Sequence, residues 1–149
     1  MWRPWWADPA QPGLPHLLRP GLDVVFIGYN PGLESARVGH YYAFRGNVFW
    51  KQLNESGLIG RALSHLDDVL LPVEAAIGFT DLCSRPTARA GELTRAEIVA
   101  GAQRLHRELS EYRPRFAVFS GRASGAASST RPASVVMRTS RVQVRCFSS

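Results

Sequence analysis

Apolar residues along this chain gather into near-continuous runs and helical patterns, separated by turns rich in glycine and proline. Residues 23–29 carry Val24-Val25-Phe26-Ile27 with no polar alternation, and the apolar run stops at Gly28. Such a run predicts a strand buried on both faces, as in a parallel sheet. Residues 116–119, Phe-Ala-Val-Phe, repeat the pattern, and a shorter run at 77–80 predicts a third strand. Between these runs the period lengthens. Ile98, Ala102, Leu105, Leu109 and Tyr112 recur at spacings of four and three, Thr94 and Glu97 form a capping box, and Pro114 blocks extension. Residues 47–56 predict a second helix, with Phe49, Trp50 and Leu53 on one side, Asn47 as N-cap and Gly57 as the stop. Strands and helices in this order predict a doubly wound α/β sheet, mostly parallel.

The flanks differ from this middle. Pro4, Pro9, Pro12, Pro15 and Pro20 remove backbone donors, so residues 1–21 are expected to be an irregular arm in which Trp2, Trp5 and Trp6 are packing or exposed aromatics. Past Ser120 serine and arginine dominate and no apolar period survives, so no packed element is expected. Val135-Val136-Met137 and Val142-Gln143-Val144 are the only candidate short strands there. The expected organisation is an arm (1–21), one domain (22–121) and a divergent tail (122–149).

With 149 residues, 45% hydrophobic and 20% charged, the chain has the size and composition of one soluble globular domain. No run approaches the ~20 apolar residues of a membrane span, and Met1-Trp2-Arg3-Pro4-Trp5-Trp6 holds no hydrophobic signal core. A cytoplasmic monomer with no membrane partner is the expectation. Cys83 and Cys146 stand too far apart for a CxxC pattern, and His16, His40, His65 and His106 are scattered, so neither metal nor cofactor is expected. The net charge of +6 is a weak guide to partners, because residues 120–149 supply five arginines and no acid while residues 1–119 balance 13 basic against 12 acidic residues.

Local placement is more informative. The first strand runs into Gly28-Tyr29-Asn30-Pro31-Gly32, a turn that lifts one amide side chain above the sheet edge where open α/β folds bind their substrates. Gly39-His40-Tyr41-Tyr42 and Gly46-Asn47-Val48-Phe49-Trp50 follow, then Ile77-Gly78-Phe79-Thr80-Asp81 and Arg85-Pro86-Thr87. In order and spacing these blocks resemble the mismatch-specific uracil/thymine DNA glycosylases of the uracil-DNA glycosylase superfamily, over residues 22–121.

The resemblance implies a three-layer α-β-α fold, truncated or divergent at the C-terminus, and a base-excision repair enzyme that hydrolyses uracil, with thymine or damaged pyrimidines as further substrates, out of mismatches with guanine. DNA, as uracil-containing or mismatched duplex or as single strand, is the implied partner. Asn30 takes the family's water-positioning role. An amide orients a water but has no useful basicity at neutral pH, so Asn30 alone suits bases that leave readily. Gly28 and Tyr29 present backbone to the base, Tyr29 standing where relatives carry an aliphatic residue. Tyr42 matches the aromatic on which a flipped pyrimidine stacks. His40 and Asn47 line the pocket, and Arg37, Arg45 and Lys51 are positioned to hold phosphates. Asp81 replaces the Asn or Lys of relatives, and as a carboxylate at a strand end it can contact the base or activate the water.

One part is missing. Relatives carry, after the strand matching residues 116–119, a Ser-containing loop that fills the hole left by the flipped nucleotide. No such motif follows Gly121. A catalytically impaired nucleic-acid-binding remnant of the family is therefore the alternative to an active glycosylase. A nucleotide-binding α/β domain is disfavoured by the absence of G-x-G-x-x-G and of a phosphate-loop motif.

Overall fold

The computed structural model of the protein describes residues 13–120 and, for the backbone, residues 134–138. Trp2, Trp5, Trp6, the Val142–Val144 candidate strand and most of the Ser/Arg-rich tail lie outside the described residues. Three predicted strands form as β1 (Val24–Gly28), β2 (Ile77–Asp81) and β3 (Phe116–Ser120). They are parallel, with β1 in the centre, and a fourth strand, β4 (Ser134–Arg138), adds antiparallel to β3 to give the order β2-β1-β3-β4. The candidate run Val135-Val136-Met137 thus does form a strand, against the expectation of no packed element past Ser120. Backbone pairing along β3 accepts the Val135-Val136-Met137 run although its surroundings show no apolar period.

The helices are α1 (Leu33–Val38), α2 (Phe49–Glu55), α3 (Leu71–Glu74) and α4 (Arg95–Tyr112). Helix α4 has the predicted Thr94–Glu97 capping box and ends at Arg113 in the left-handed region, before Pro114. Helix α2 begins two residues later than expected. Asn47 still accepts from the Phe49 N–H at 2.9 Å, which relieves one of the unpaired donors at a helix start. Helices α1 and α3 were not anticipated, being too short to show a period, and α1 ends at Gly39 with φ of 80°.

Strand alternation assigns the two faces of the sheet. Phe26, Ile77 and Phe79 meet Trp50, Leu53, Leu71 and Tyr41 on one face, while Val25, Ile27 and Ala117 meet Leu105 and Leu109 of α4 on the other. These are the layers of an α-β-α sandwich. The same alternation puts Thr80 on the α4 face and Asp81 on the Tyr41–Tyr42 face. At one point the α4 layer approaches so closely that a Cβ on Gly101 would strike the Leu82 carbonyl. A glycine in mid-helix costs about 1 kcal/mol against alanine, which this approach makes necessary.

Candidate functional site

The C-terminal ends of β1, β2 and β3 lie side by side, which brings Gly28, Asp81 and Ser120 to one edge. Asp81 pairs in register with Gly28, and a Cβ on Gly28 would run into the Asp81 carboxylate, with the Tyr42 hydroxyl 3.7 Å away. Glycine at this position is therefore the condition for Asp81 and Tyr42 to share the space above β1. Asp81 is 5% exposed, and its carboxyl oxygens make no hydrogen bond among the described residues. Burial pushes its pKa up to about 7, against the opposing pull of Arg104.

Two residues beyond Gly28, Asn30 leans over the next loop. Its Nδ2 donates to the Arg85 carbonyl at 2.9 Å and to the Thr87 hydroxyl at 2.7 Å. A carbonyl can only accept, so the amide nitrogen is the atom that faces Arg85 O. Thr87 in turn donates its proton to the Arg89 carbonyl at 2.7 Å, leaving a lone pair for Asn30. The loop carrying Thr87 is tied to the turn itself, since the Thr87 N–H donates to Pro31 O at 3.2 Å. Asn30 Oδ1, with no hydrogen-bond partner among the described residues, is left as an available acceptor.

Tyr42 is held by its neighbours rather than by regular structure. Its backbone sits at φ 54°, a strained value for a non-glycine residue. The ring stacks on Phe49 with centroids 4.0 Å apart and planes 19° from parallel, and its hydroxyl bonds Ser120 Oγ. Burial raises the phenol above its ordinary pKa, so it stays neutral. The loop is braced on several sides. Ala43 N–H donates to Ser35 Oγ at 3.1 Å, Tyr41 N–H to Asp68 at 2.8 Å, Tyr41 hydroxyl to Pro15 O at 2.6 Å, and Trp50 Nε1 to Tyr41 O at 3.0 Å.

The other candidates are placed differently. His40 turns to the buried Asp68, Nδ1 to Oδ1 at 2.8 Å, with its ring against His65, so its contacts are those of a loop anchor. Asn47 acts at the start of α2 through its cap bond. Tyr29 is half-buried, and its carbonyl accepts from Cys83 N–H at 2.9 Å, joining the β1 and β2 loops. Arg37 pairs with Glu34 at 2.5 Å and Lys51 with Glu55 at 3.9 Å, both at the surface, while Arg45 has no ion pair among the described residues. Exposed pairs of this kind are worth at most about 1 kcal/mol and yield readily to a phosphate. Arg85 is paired with Glu97 at 2.5 Å.

Thr87, Phe49 and Ser120 were missed as site residues by sequence reasoning. Thr87 stood in a quoted motif without a role. Ser120 had a usable signal, as the first polar residue at the end of a predicted parallel strand. A cavity of about 250 Å³ lies behind the site, between α4 and the loop after β2, and contains none of the proposed catalytic groups. Among the described residues no helix is long and apolar enough to cross a membrane, and no cluster of His, Cys, Asp or Glu is arranged to hold a metal ion.

Comparison with known proteins bears on this arrangement. The family model of the Uracil DNA glycosylase superfamily matches residues 15–142, starting before β1 and running on through β4. The chain is also 36% identical over 116 residues to the G/U mismatch-specific uracil DNA glycosylase of Schizosaccharomyces pombe (strain 972 / ATCC 24843). That alignment covers 76% of this chain and 35% of the relative, so the chain spans about a third of that protein's length.

Proposed function

Since the chain belongs to the uracil DNA glycosylase superfamily, we propose that it is a DNA N-glycosylase that removes uracil from mismatches with guanine after flipping the base out of the duplex. Thymine and damaged pyrimidines are further candidate substrates. The observation that carries this reading is the pairing of Gly28 with Asp81, which sets a buried carboxyl and the Asn30 turn on adjacent strand ends.

In this reading Asn30 Oδ1 accepts from a water and holds it below C1′ of the everted nucleoside. The ionised Asp81 takes the water's proton as the oxygen bonds to C1′. The C1′–N1 bond breaks ahead of, or together with, that bond formation, and its electron pair leaves on the base. Because the sugar carries oxocarbenium character in this transition state, a nearby carboxylate also stabilises it electrostatically. Tyr42, backed by Phe49, offers the flat partner that replaces lost base stacking, with Gly28 and Tyr29 giving backbone approach. Arg37, Arg45 and Lys51 hold backbone phosphates, and His40 and Asn47 serve by fixing the loop and helix that present Tyr42 and Lys51.

A single-turnover assay tests this. The purified chain is incubated with a G·U duplex and with single-stranded uracil DNA, and alkali then cleaves any abasic sites. Product from the duplex is expected. Product from the single strand alone would show a working pocket without duplex opening, and binding with no product from either would favour the impaired remnant. The support under Asn30 is tested separately. Thr87→Val removes one of the two acceptors of Asn30 Nδ2 together with the Thr87 hydroxyl's own bond to Arg89 O, and the loosened amide is expected to slow base release roughly tenfold.

A further inference from the structure

Helix α4 reaches the site from the far side of the sheet. Thr80 faces α4 and Asp81 faces Tyr42, so no α4 side chain can meet the Asp81 carboxyl through the strand. Arg104 meets the backbone instead. Its Nη2 donates to the carbonyls of Asp81 and Leu82, the latter at 2.9 Å. Its Nη1 donates to both oxygens of Glu108 at 3.1 and 3.0 Å and lies against the His16 ring. Glu108 also pairs with His16 at 2.5 Å and accepts from the Thr80 hydroxyl at 3.4 Å. The guanidinium is thus fixed by groups from β2, from α4 and from the segment ahead of β1.

We propose that Arg104 is a positioning residue for Asp81, docked on the end of β2 so that its charge and its bonds to the strand set both the placement and the ionisation of that carboxyl. The proposal rests on the reading of Asp81 given above. A fixed cation close to a buried carboxylate favours the charged form, and the low polarity of the surroundings strengthens the effect. Of the other titratable groups facing Asp81, Tyr41 and Tyr42 from the pocket loop are neutral, their phenols raised by burial, and so is Cys83 beyond β2, its thiol raised by burial. Arg104 is the charged group that acts on Asp81. Glu108 offsets part of that charge. Burial raises the Glu108 carboxyl, but His16 and Arg104 outweigh it and hold the group below its ordinary pKa, so it is ionised at neutral pH.

Opposite signs follow for the two partners. Removing the cation, Arg104→Met, is expected to raise the Asp81 midpoint by roughly one unit. Removing the counter-charge, Glu108→Gln, is expected to lower it, and Arg104→Lys to leave it closest to the parent. The measurement is a ¹³C-carboxyl titration of the full chain, with the Asp81 signal assigned by its loss in Asp81→Asn, alongside the acid limb of the single-turnover pH–rate profile. A merely structural Arg104 would lower the melting temperature in both variants and leave the midpoints where they were, which would overturn the proposal. If Arg104→Met does not fold, Glu108→Gln and Arg104→Lys still give the sign. Midpoints that shift as expected while Asp81→Asn keeps full activity would overturn the catalytic reading of Asp81 instead, so the two failures are distinguishable.

Discussion

Replacing Asn30 by alanine is expected to reduce single-turnover release of uracil by about 10²–10³-fold, the usual cost of deleting one preorganised polar group at a developing charge. The amide has a defined orientation in the folded protein. With Nδ2 committed to Arg85 O and Thr87 Oγ1, only Oδ1 is available to the water. Alanine removes the acceptor and leaves the water free to tumble, while the sheet beneath is untouched. Because Asn30 is only half-buried, the variant should melt within a few degrees of the parent. A loss smaller than tenfold in a folded variant would show that water placement is not the task of Asn30.

Asp81→Asn is expected to have two effects of opposite benefit. Activity should fall by 10²-fold or more, and the rise of the rate with pH through about 7 should disappear, because the group whose ionisation produces that rise is gone. Stability should move the other way. In the folded protein Asp81 keeps its proton up to about 7, whereas in the unfolded chain it loses it near its ordinary value of 3.8. Its contribution is therefore most favourable below pH 4, declines as pH rises from about 4 to about 7, and is level above that. An uncharged asparagine escapes this cost. The stability gain of the variant should thus grow across the same window and reach as much as about 4 kcal/mol at pH 8. Urea unfolding of both proteins at pH 4.5 and pH 8 checks the sign. Full activity in Asp81→Asn together with loss in Asn30→Ala would end the case for a second catalytic group. Equal stability at both pH values would show that the carboxyl is better solvated than its burial implies.

The readable and unreadable parts of this protein divide by range of interaction. Strand β1, strand β3 and helix α4 follow from local pattern, because a continuous apolar run and a capped apolar stripe each state how they must be buried. Asp81, at the end of an apolar strand, and Asn30, in the turn that follows another, drew attention by position, while the roles expected of them came from the family resemblance. Helix α1 was not legible, and strand β4 showed only as the candidate run Val135-Val136-Met137. The first is a single turn and a half completed by Gly39, and the second exists through its pairing with β3, so neither leaves a period in its own residues.

What the sequence alone determined was the class of fold and the polar residues that stand at or just past the strand ends, all consequences of spacing along one chain. What only the tertiary structure decided was the condition of those residues. The direction of the Asn30 amide depends on Thr87 and Arg85, more than fifty positions away. The proton affinity of Asp81 depends on its burial against Gly28 and on Arg104 across the sheet. Hydrogen bonding and desolvation act through space over a few ångströms, and no spacing rule along the chain records which distant groups will be brought that close.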